Sequence, residues 1–138
     1  MVAKARGSVA DAISFDLEDA VAPGRKPAAR AELRRFLQEA SVGSSAPQAL
    51  TAVKTIIVRV NAFGTSDFAQ DLDAVVWPAL DIVNLPMVES ADVVHQAADA
   101  LDVLERERGI ARPLGILANL ESPRGLRLAA AIAAGHPR

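Results

Sequence analysis

The sequence predicts an α/β fold in which helices cover a parallel β-sheet. Four apolar runs of strand length occur along the 138 residues, and each is followed by a loop and by apolar side chains at helical spacing. Because parallel neighbours need crossover connections, this alternation is typical of a parallel sheet. Polar side chains follow each run. Enzymes with a (β/α)₈ barrel place their functional residues at such strand ends, and open doubly wound sheets bind ligands there too. The pattern alone leaves barrel and open sheet as alternatives.

The first two predicted strands cover residues 12–17 and 55–60. Pro23-Gly24 marks the loop after the first strand, and apolar residues three and four apart predict an amphipathic helix over residues 26–40. Residues 41–49 are rich in Ser with Gly and Pro, which indicates a surface connection. The second strand is the most β-branched stretch of the chain and is predicted to be buried.

The third and fourth units repeat the order. Thr65 or Ser66 is predicted to cap the helix after the second strand, and Pro78 to end that element. The remaining predicted elements are a strand over residues 81–85, a helix over 91–107 stopped by Gly109, a strand over 114–120 and a short helix over 125–134.

Composition excludes several classes of function. Apolar residues make up 51% of the chain, enough for a packed core. Fifteen Lys and Arg against seventeen Asp and Glu give a net charge of −2, which offers no basic footprint for nucleic acid. The chain has no cysteine, so a metal would have to use oxygen or histidine ligands. Without a run of about 20 apolar residues, no membrane span is predicted, and we expect a cytoplasmic protein.

The candidate site residues lie where the predicted strands end. They are Asp16, Glu18 and Asp19 after the first strand, Arg59 and Asn61 at the end of the second, Glu89 after the third and Glu121 after the fourth. A guanidinium in the most apolar strand is costly unless it is paired, so Arg59 is predicted to meet a carboxylate. That partner is either a substrate or one of Glu18, Asp19 and Glu121, and the two interpretations can coexist. Glu121 is an oxygen donor of the kind that a hard divalent cation accepts, or a solvated charge at a helix start.

Other polar residues carry weaker signals. Asn61 and Glu89 are interpreted first as scaffold, through a turn and a helix start. Lys26 and Arg30 could approach a phosphate group, although basic residues on a surface helix are usually solvated. His95 and His136 have no metal-ligand spacing to another ligand.

Four strings at successive strand ends carry a resemblance to a family. They are Asp16-Leu17-Glu18-Asp19-Ala20-Val21-Ala22-Pro23 with Lys26 and Ala29-Arg30, then Val58-Arg59-Val60-Asn61, Leu85-Pro86-Met87-Val88-Glu89-Ser90 and Leu120-Glu121-Ser122-Pro123-Arg124-Gly125. In this order they resemble the HpcH/HpaI aldolase and citrate lyase β-subunit family, which includes malyl-CoA and citramalyl-CoA lyases. Any one string is weak, but four in register make a specific signal.

The resemblance implies a partial (β/α)₈ TIM barrel and a Mg²⁺-dependent carbon–carbon lyase acting on a small keto or hydroxy acid or an acyl-CoA. It implies that Glu121 is one of two carboxylates holding Mg²⁺ and that Arg59 binds the substrate. Glu18 and Asp19 match acidic residues beside the metal, and catalytic roles are predicted for them. Full-length members are commonly homo-oligomers.

The chain departs from the family pattern in ways that lower the expected activity. An earlier strand and the later strand with the second metal carboxylate have no counterpart, and Met87 stands where Lys is common and Ser122 where Thr is common. We expect residues 1–138 to form one incomplete barrel domain, about strands two to five of eight, from a truncated gene product or gene fragment that is weakly active alone. The alternative is a non-catalytic remnant or interaction module that pairs through its open sheet edge. A dinucleotide-binding half-domain would need a Gly-rich turn after the first strand, which this sequence lacks.

Overall fold

The computed structural model describes residues 10–42 and 54–138. The described elements are β1 (Ala12–Asp16), a 3-10 turn (Pro23–Arg25), α1 (Lys26–Val42), β2 (Thr55–Arg59), α2 (Ser66–Val75), β3 (Ile82–Leu85), α3 (Ala91–Glu107), β4 (Gly115–Ala118), α4 (Pro123–Arg127) and α5 (Ala129–Ala134).

The four strands form one parallel sheet in the order β1-β2-β3-β4. The predicted parallel α/β fold is therefore confirmed, with every strand beside its neighbour in sequence. One row of the register runs across the whole sheet, through Asp16, Arg59, Asn84 and Leu117. Since paired residues of adjacent strands lie on the same face, this row brings a carboxylate, a guanidinium and an amide together.

The two faces of the sheet differ in what covers them. One face packs against the helices through alternate apolar side chains of each strand, and Phe15 meets Phe36 of α1 with ring centroids 5.4 Å apart. The other face carries Ser14 and Leu117, both exposed, with the half-buried Ile57 and Ile82 between them. In an eight-stranded barrel such a face lines the interior.

Helix ends follow the predicted signals. Thr65 caps α2, its hydroxyl oxygen accepting from the Phe68 amide at 3.3 Å. Gly109, with φ of 63°, stops α3. The helix predicted over residues 125–134 begins earlier, at Pro123, where Ser122 caps it, and a non-helical Leu128 divides it into α4 and α5.

The strands are shorter than predicted, because apolar character continues past the ladders. Leu114 is buried, yet its amide donates to the Glu105 carboxylate at 2.8 Å, so β4 begins one residue later. The predicted connection over residues 41–49 begins later too, since α1 continues to Val42; residues 43–53, like residues 1–9, lie outside the described residues. Within the described ranges, no helix combines the length and the apolar character that a membrane crossing requires.

Candidate functional site

Arg59 pairs with three carboxylates that follow or end β1, named here the acidic cluster (Asp16, Glu18 and Asp19). Its Nε and one terminal nitrogen donate to the two oxygens of Asp16 at 3.0 and 2.5 Å. The other terminal nitrogen lies 3.0 Å from Glu18 Oε2, and the terminal nitrogen that is bonded to Asp16 also lies 3.4 Å from Asp19 Oδ2. The predicted pairing with Glu18 and Asp19 is confirmed. Its main partner, Asp16, was not predicted as such, although the strand register places it directly opposite Arg59.

The acidic cluster also shapes its own loop. Asp16 accepts from the Glu18 amide at 2.8 Å and from the Ala20 amide at 3.2 Å. These bonds form a local side-chain turn that brings the chain round just after β1. Glu18 and Asp19 are held on the side of Arg59 as a result.

Burial and charge act in opposite directions on the acidic cluster. Burial raises the pKa of Asp16, but hydrogen bonds from Arg59 and from two backbone amides outweigh it, so that pKa lies below its ordinary value. Burial raises the pKa of Glu18 above its ordinary value; the Arg59 charge opposes this shift, and the charges of Asp19 and Glu121 add to it. The hydrogen bond with Asp16 raises the pKa of Arg59 above its ordinary value, which is already high.

These opposite shifts predict opposite effects of pH on stability. The folded pKa of Asp16 lies below its ordinary value of 3.8, so its stabilising contribution is present above that value and is lost as the pH falls through the folded pKa. Asp16→Asn should therefore flatten the loss of unfolding free energy between about pH 5 and pH 2. Glu18 has a raised folded pKa, so protonation stabilises the fold as the pH falls from above that pKa to the ordinary value of 4.5, and Glu18→Gln should remove this gain. Urea denaturation between about pH 7 and pH 2 measures both effects, and identical pH profiles in the two variants would contradict the assignment.

Glu121 lies just beyond β4, at the same end of the sheet. One of its oxygens accepts from the Asn119 side-chain amide at 3.1 Å and the other from the Met87 backbone amide at 3.3 Å. Met87 holds a left-handed conformation with φ of 53°, which is uncommon for a residue with a side chain. The backbone after β3 is thus bent so that an amide points at the Glu121 carboxylate.

The start of α4 is tied to the loop after β3. Ser122 donates its hydroxyl hydrogen to Glu89, and its oxygen accepts from the Gly125 amide at 3.0 Å. Glu89 thus contacts the residue that caps α4, rather than the start of its own helix as predicted. A side chain at Gly125 would place its Cβ only 2.6 Å from the Val88 carbonyl oxygen.

Gly125→Ala is expected to lower the free energy of unfolding by up to about 2 kcal/mol. The gain from alanine's helix propensity is about 1 kcal/mol, whereas overpacking costs about 1–3 kcal/mol. The clash is with backbone, so α4 must move and carry Ser122 and Glu121 with it. Urea denaturation measures the change, with Gly24→Ala as the control because its added Cβ meets nothing within 4 Å. An alanine at residue 125 as stable as the wild type would show that no such close contact exists.

A polar network supports the acidic cluster from the side of α1 and α2. It consists of the buried Lys26, Arg30, Asn61 and Asp71 and the half-buried Asp67. Asp71 is fully buried; it accepts from the Asn61 backbone and side-chain amides at 2.7 and 2.6 Å and from Arg30 at 2.6 Å. Arg30 also pairs with Asp67. The Asn61 side chain thus bonds to three other segments, rather than to its own loop through the predicted turn.

Lys26 and Arg30 are not solvated surface residues. They are 8% and 7% exposed, respectively, and both donate to protein acceptors. The expectation that these two basic residues are solvated is therefore wrong, and a phosphate contact by either of them stays a prediction. Sequence reasoning missed Asp71, whose place on an amphipathic helix gives no signal of its partners.

The carboxylate oxygens at this end of the sheet are ligands of the type that magnesium binds. Glu121 is an exposed carboxylate, and Glu18 Oε2 is buried with no hydrogen-bond partner among the described residues, in ionic contact with Arg59 alone. The Glu121 charge also raises the pKa of Glu18, so a cation here would relieve repulsion. Oxygen ligands suit Mg²⁺, which keeps several waters and substrate oxygens. In the described ranges no three acidic or histidine side chains are grouped closely enough to form a complete site.

Comparison with known proteins places this geometry in a family. A model of the HpcH/HpaI aldolase/citrate lyase family matches residues 1–137. Over 127 residues the chain is 35% identical to the citrate lyase subunit beta of Leuconostoc mesenteroides subsp. cremoris, covering 90% of this chain and 38% of that one. It is 37% identical over 135 residues to a (3S)-malyl-CoA thioesterase of Cereibacter sphaeroides, covering 98% of this chain and 40% of that one.

A solved relative has the same fold. The citrate lyase beta subunit of M. tuberculosis, complexed with oxaloacetate and magnesium, superposes with a TM-score of 0.65 at 37% identity, covering 93% of this chain and 45% of that one. The chain thus spans less than half the length of these relatives, and its four β/α units correspond to part of their fold. The chain belongs to the HpcH/HpaI aldolase/citrate lyase family.

Proposed function

We propose that this chain carries part of the active site of a magnesium-dependent carbon–carbon lyase. Its substrate would be a small keto or hydroxy acid, or the CoA thioester of such an acid. The observation that carries the proposal is the meeting of Arg59, the acidic cluster and Glu121 at the carboxyl end of one parallel sheet. Relatives of the chain include a structure with oxaloacetate and magnesium bound.

Arg59 is assigned to substrate binding. Its side chain is 22% exposed, and its planar guanidinium can hold a carboxylate through two parallel bonds. Asp16 already occupies one edge of the guanidinium and fixes its orientation, so a substrate carboxylate would displace Glu18 and Asp19 from the terminal nitrogens. Asn84 lies next to Arg59 in the sheet row, and its Oδ1 is buried with no partner in the described ranges. A substrate hydroxyl or a water would satisfy that atom.

Glu121 is assigned to the metal, and Glu18 and Asp19 to proton transfer. Bound Mg²⁺ would polarise the substrate carbonyl and so favour the enolate that bond cleavage leaves. Glu18 suits proton transfer because its raised pKa lies closer to pH 7 than the pKa of an exposed glutamate. Asp19 is largely exposed and pairs only at the edge of Arg59, at 3.4 Å, so it can turn toward a substrate.

The test is a calorimetric titration of Mg²⁺ with oxaloacetate present. We expect binding by the purified 138-residue chain and loss of binding in Glu121→Ala. Glu107→Ala is the matched control, since this exposed carboxylate ends α3. Binding that is unchanged in Glu121→Ala would contradict the metal assignment. Absence of binding in a folded wild-type sample would reject the lyase site in this chain.

The second candidate is an interaction module that pairs through the open sheet. The specific observation in its favour is the exposure of Leu117 on the uncovered face and of Leu120 just after β4. Exposed apolar side chains beside a sheet edge favour association with another chain. Sedimentation analysis together with binding of an apolar dye distinguishes the candidates: a monomer that binds no dye would count against the module.

A further inference from the structure

We propose that Lys26 is a positioning residue for the acidic cluster, acting by anchoring the backbone from which Glu18 projects. This inference rests on the proposed function for its consequence in binding, and on the described contacts for its structural part. Lys26 has no side-chain contact with Arg59 or Glu121 among the described bonds; its effect is exerted through the loop after β1.

The Lys26 ammonium is fully engaged by neutral acceptors. It donates to the Leu17 carbonyl at 2.8 Å, to the Glu18 carbonyl at 3.1 Å and to Asn61 Oδ1 at 2.5 Å. An ammonium has three donors, so the three acceptors match its capacity. Burying a cation costs free energy, and here it meets two consecutive carbonyls rather than a carboxylate. A scaffold that only filled space would not require a charge at this position.

Asn61 joins this anchor to the strand that carries Arg59. Its side-chain amide donates to the Leu17 carbonyl at 3.1 Å and to Asp71 at 2.6 Å. Asn61 stands two residues after Arg59, and the Leu17 amide donates to the Arg59 carbonyl at 2.9 Å. Lys26 and Asn61 thus bind the ends of β1 and β2 together, next to the ion pairs of Arg59.

The geometry that depends on this anchor is the position of Glu18. The Glu18 carbonyl is held by Lys26, while its carboxylate lies 3.0 Å from the Arg59 guanidinium. Asp16 fixes the same loop through the Glu18 amide. With the amide and the carbonyl both bonded, the Glu18 backbone is held on both sides, which limits the directions that its side chain can take.

The test compares Lys26→Met with a restored ammonium. Methionine has a similar length and no donor. Because the chain has no cysteine, Lys26→Cys can be alkylated with 2-bromoethylamine while unfolded and then refolded, which returns an ammonium at this one position. The control is Arg35→Met, an exposed residue of the same helix. Two readouts are taken well below the melting temperature: hydrogen exchange of the amides of residues 17–21, and oxaloacetate affinity with Mg²⁺.

In Lys26→Met we expect faster exchange in residues 17–21 and oxaloacetate binding weaker by about 10- to 100-fold, the range found when supporting partners of a metal site are removed. The alkylated variant should recover both, and Arg35→Met should change neither. Unchanged exchange in residues 17–21 of folded Lys26→Met would overturn the proposal. So would failure of the restored ammonium to recover slow exchange, since the effect would then come from packing.

The same design separates this inference from the proposed function. If the wild type binds no oxaloacetate, the proposed function fails, while the exchange measurement still decides whether Lys26 anchors the loop. If the wild type binds and folded Lys26→Met binds equally well, the positioning role fails and the proposed function stands.

Discussion

Replacing Asp71 by alanine is expected to lower the free energy of unfolding by about 3–5 kcal/mol, the range for breaking a buried ion pair. Asp71 is fully buried, and its two oxygens accept from Arg30 and from both amides of Asn61. Without the carboxylate, Arg30, whose side chain is only 9% exposed, loses one of its two carboxylate partners, and two amide groups lose their acceptor.

Urea denaturation followed by circular dichroism measures this effect. The control is Asp99→Ala, an exposed aspartate of α3, for which we expect a change within about 0.5 kcal/mol. Asp71→Asn keeps the shape and one acceptor oxygen, so it should fall between the wild type and the alanine variant. A loss no larger in Asp71→Ala than in the control would contradict the view that this network holds α1, α2 and β2 together.

Replacing Arg59 by leucine is expected to abolish most oxaloacetate binding, with a loss of about 2–5 kcal/mol in binding free energy. That loss corresponds to at least about 30-fold in affinity. Leucine removes the donors assigned to the substrate and leaves Asp16 and Glu18 without their cation, so the vacated site also repels an anion.

Arg59→Lys separates the two causes. It retains one positive charge beside the acidic cluster but cannot donate along both edges of a carboxylate. Calorimetry with Mg²⁺ and oxaloacetate should therefore rank affinity as wild type, then lysine, then leucine. The exposed Arg127→Leu is a control for loss of a positive charge. Equal affinity in wild type and Arg59→Leu would remove Arg59 from the substrate site.

The fold was predictable because its signals are local and repeat. Four apolar runs alternating with helical spacing require crossovers, and parallel order follows. Thr65 and Gly109 mark helix ends by their own backbone preferences. Element bounds were less predictable, because Leu114 and Leu120 look like strand residues although neither lies in β4.

The sequence predicted which residues lie at the site better than it predicted which residues pair with each other. Placing Arg59, Glu18, Asp19 and Glu121 at strand ends required only the strand pattern, whereas their roles came from the family resemblance and stay predictions. The pairing of Arg59 with Asp16 depends on register, which single strands do not define. The burial of Lys26 depends on acceptors in two other segments, one of them 35 residues away. The spacing of apolar residues along a helix does not predict such partners.

The most direct test of the central claim is where a divalent cation binds on the folded chain. Mn²⁺ can stand in for Mg²⁺ and broadens nearby amide signals in an assigned nuclear magnetic resonance spectrum. With oxaloacetate present, we expect the signals of Met87, Asn119 and Ser122 to disappear in the wild type and to persist in Glu121→Gln. Signals of Thr55 and Arg112, at the opposite end of the sheet, should remain in both. Broadening at that opposite end instead would contradict a metal site at the carboxyl end of the sheet, and identical broadening in Glu121→Gln would contradict the assignment of Glu121 to that site.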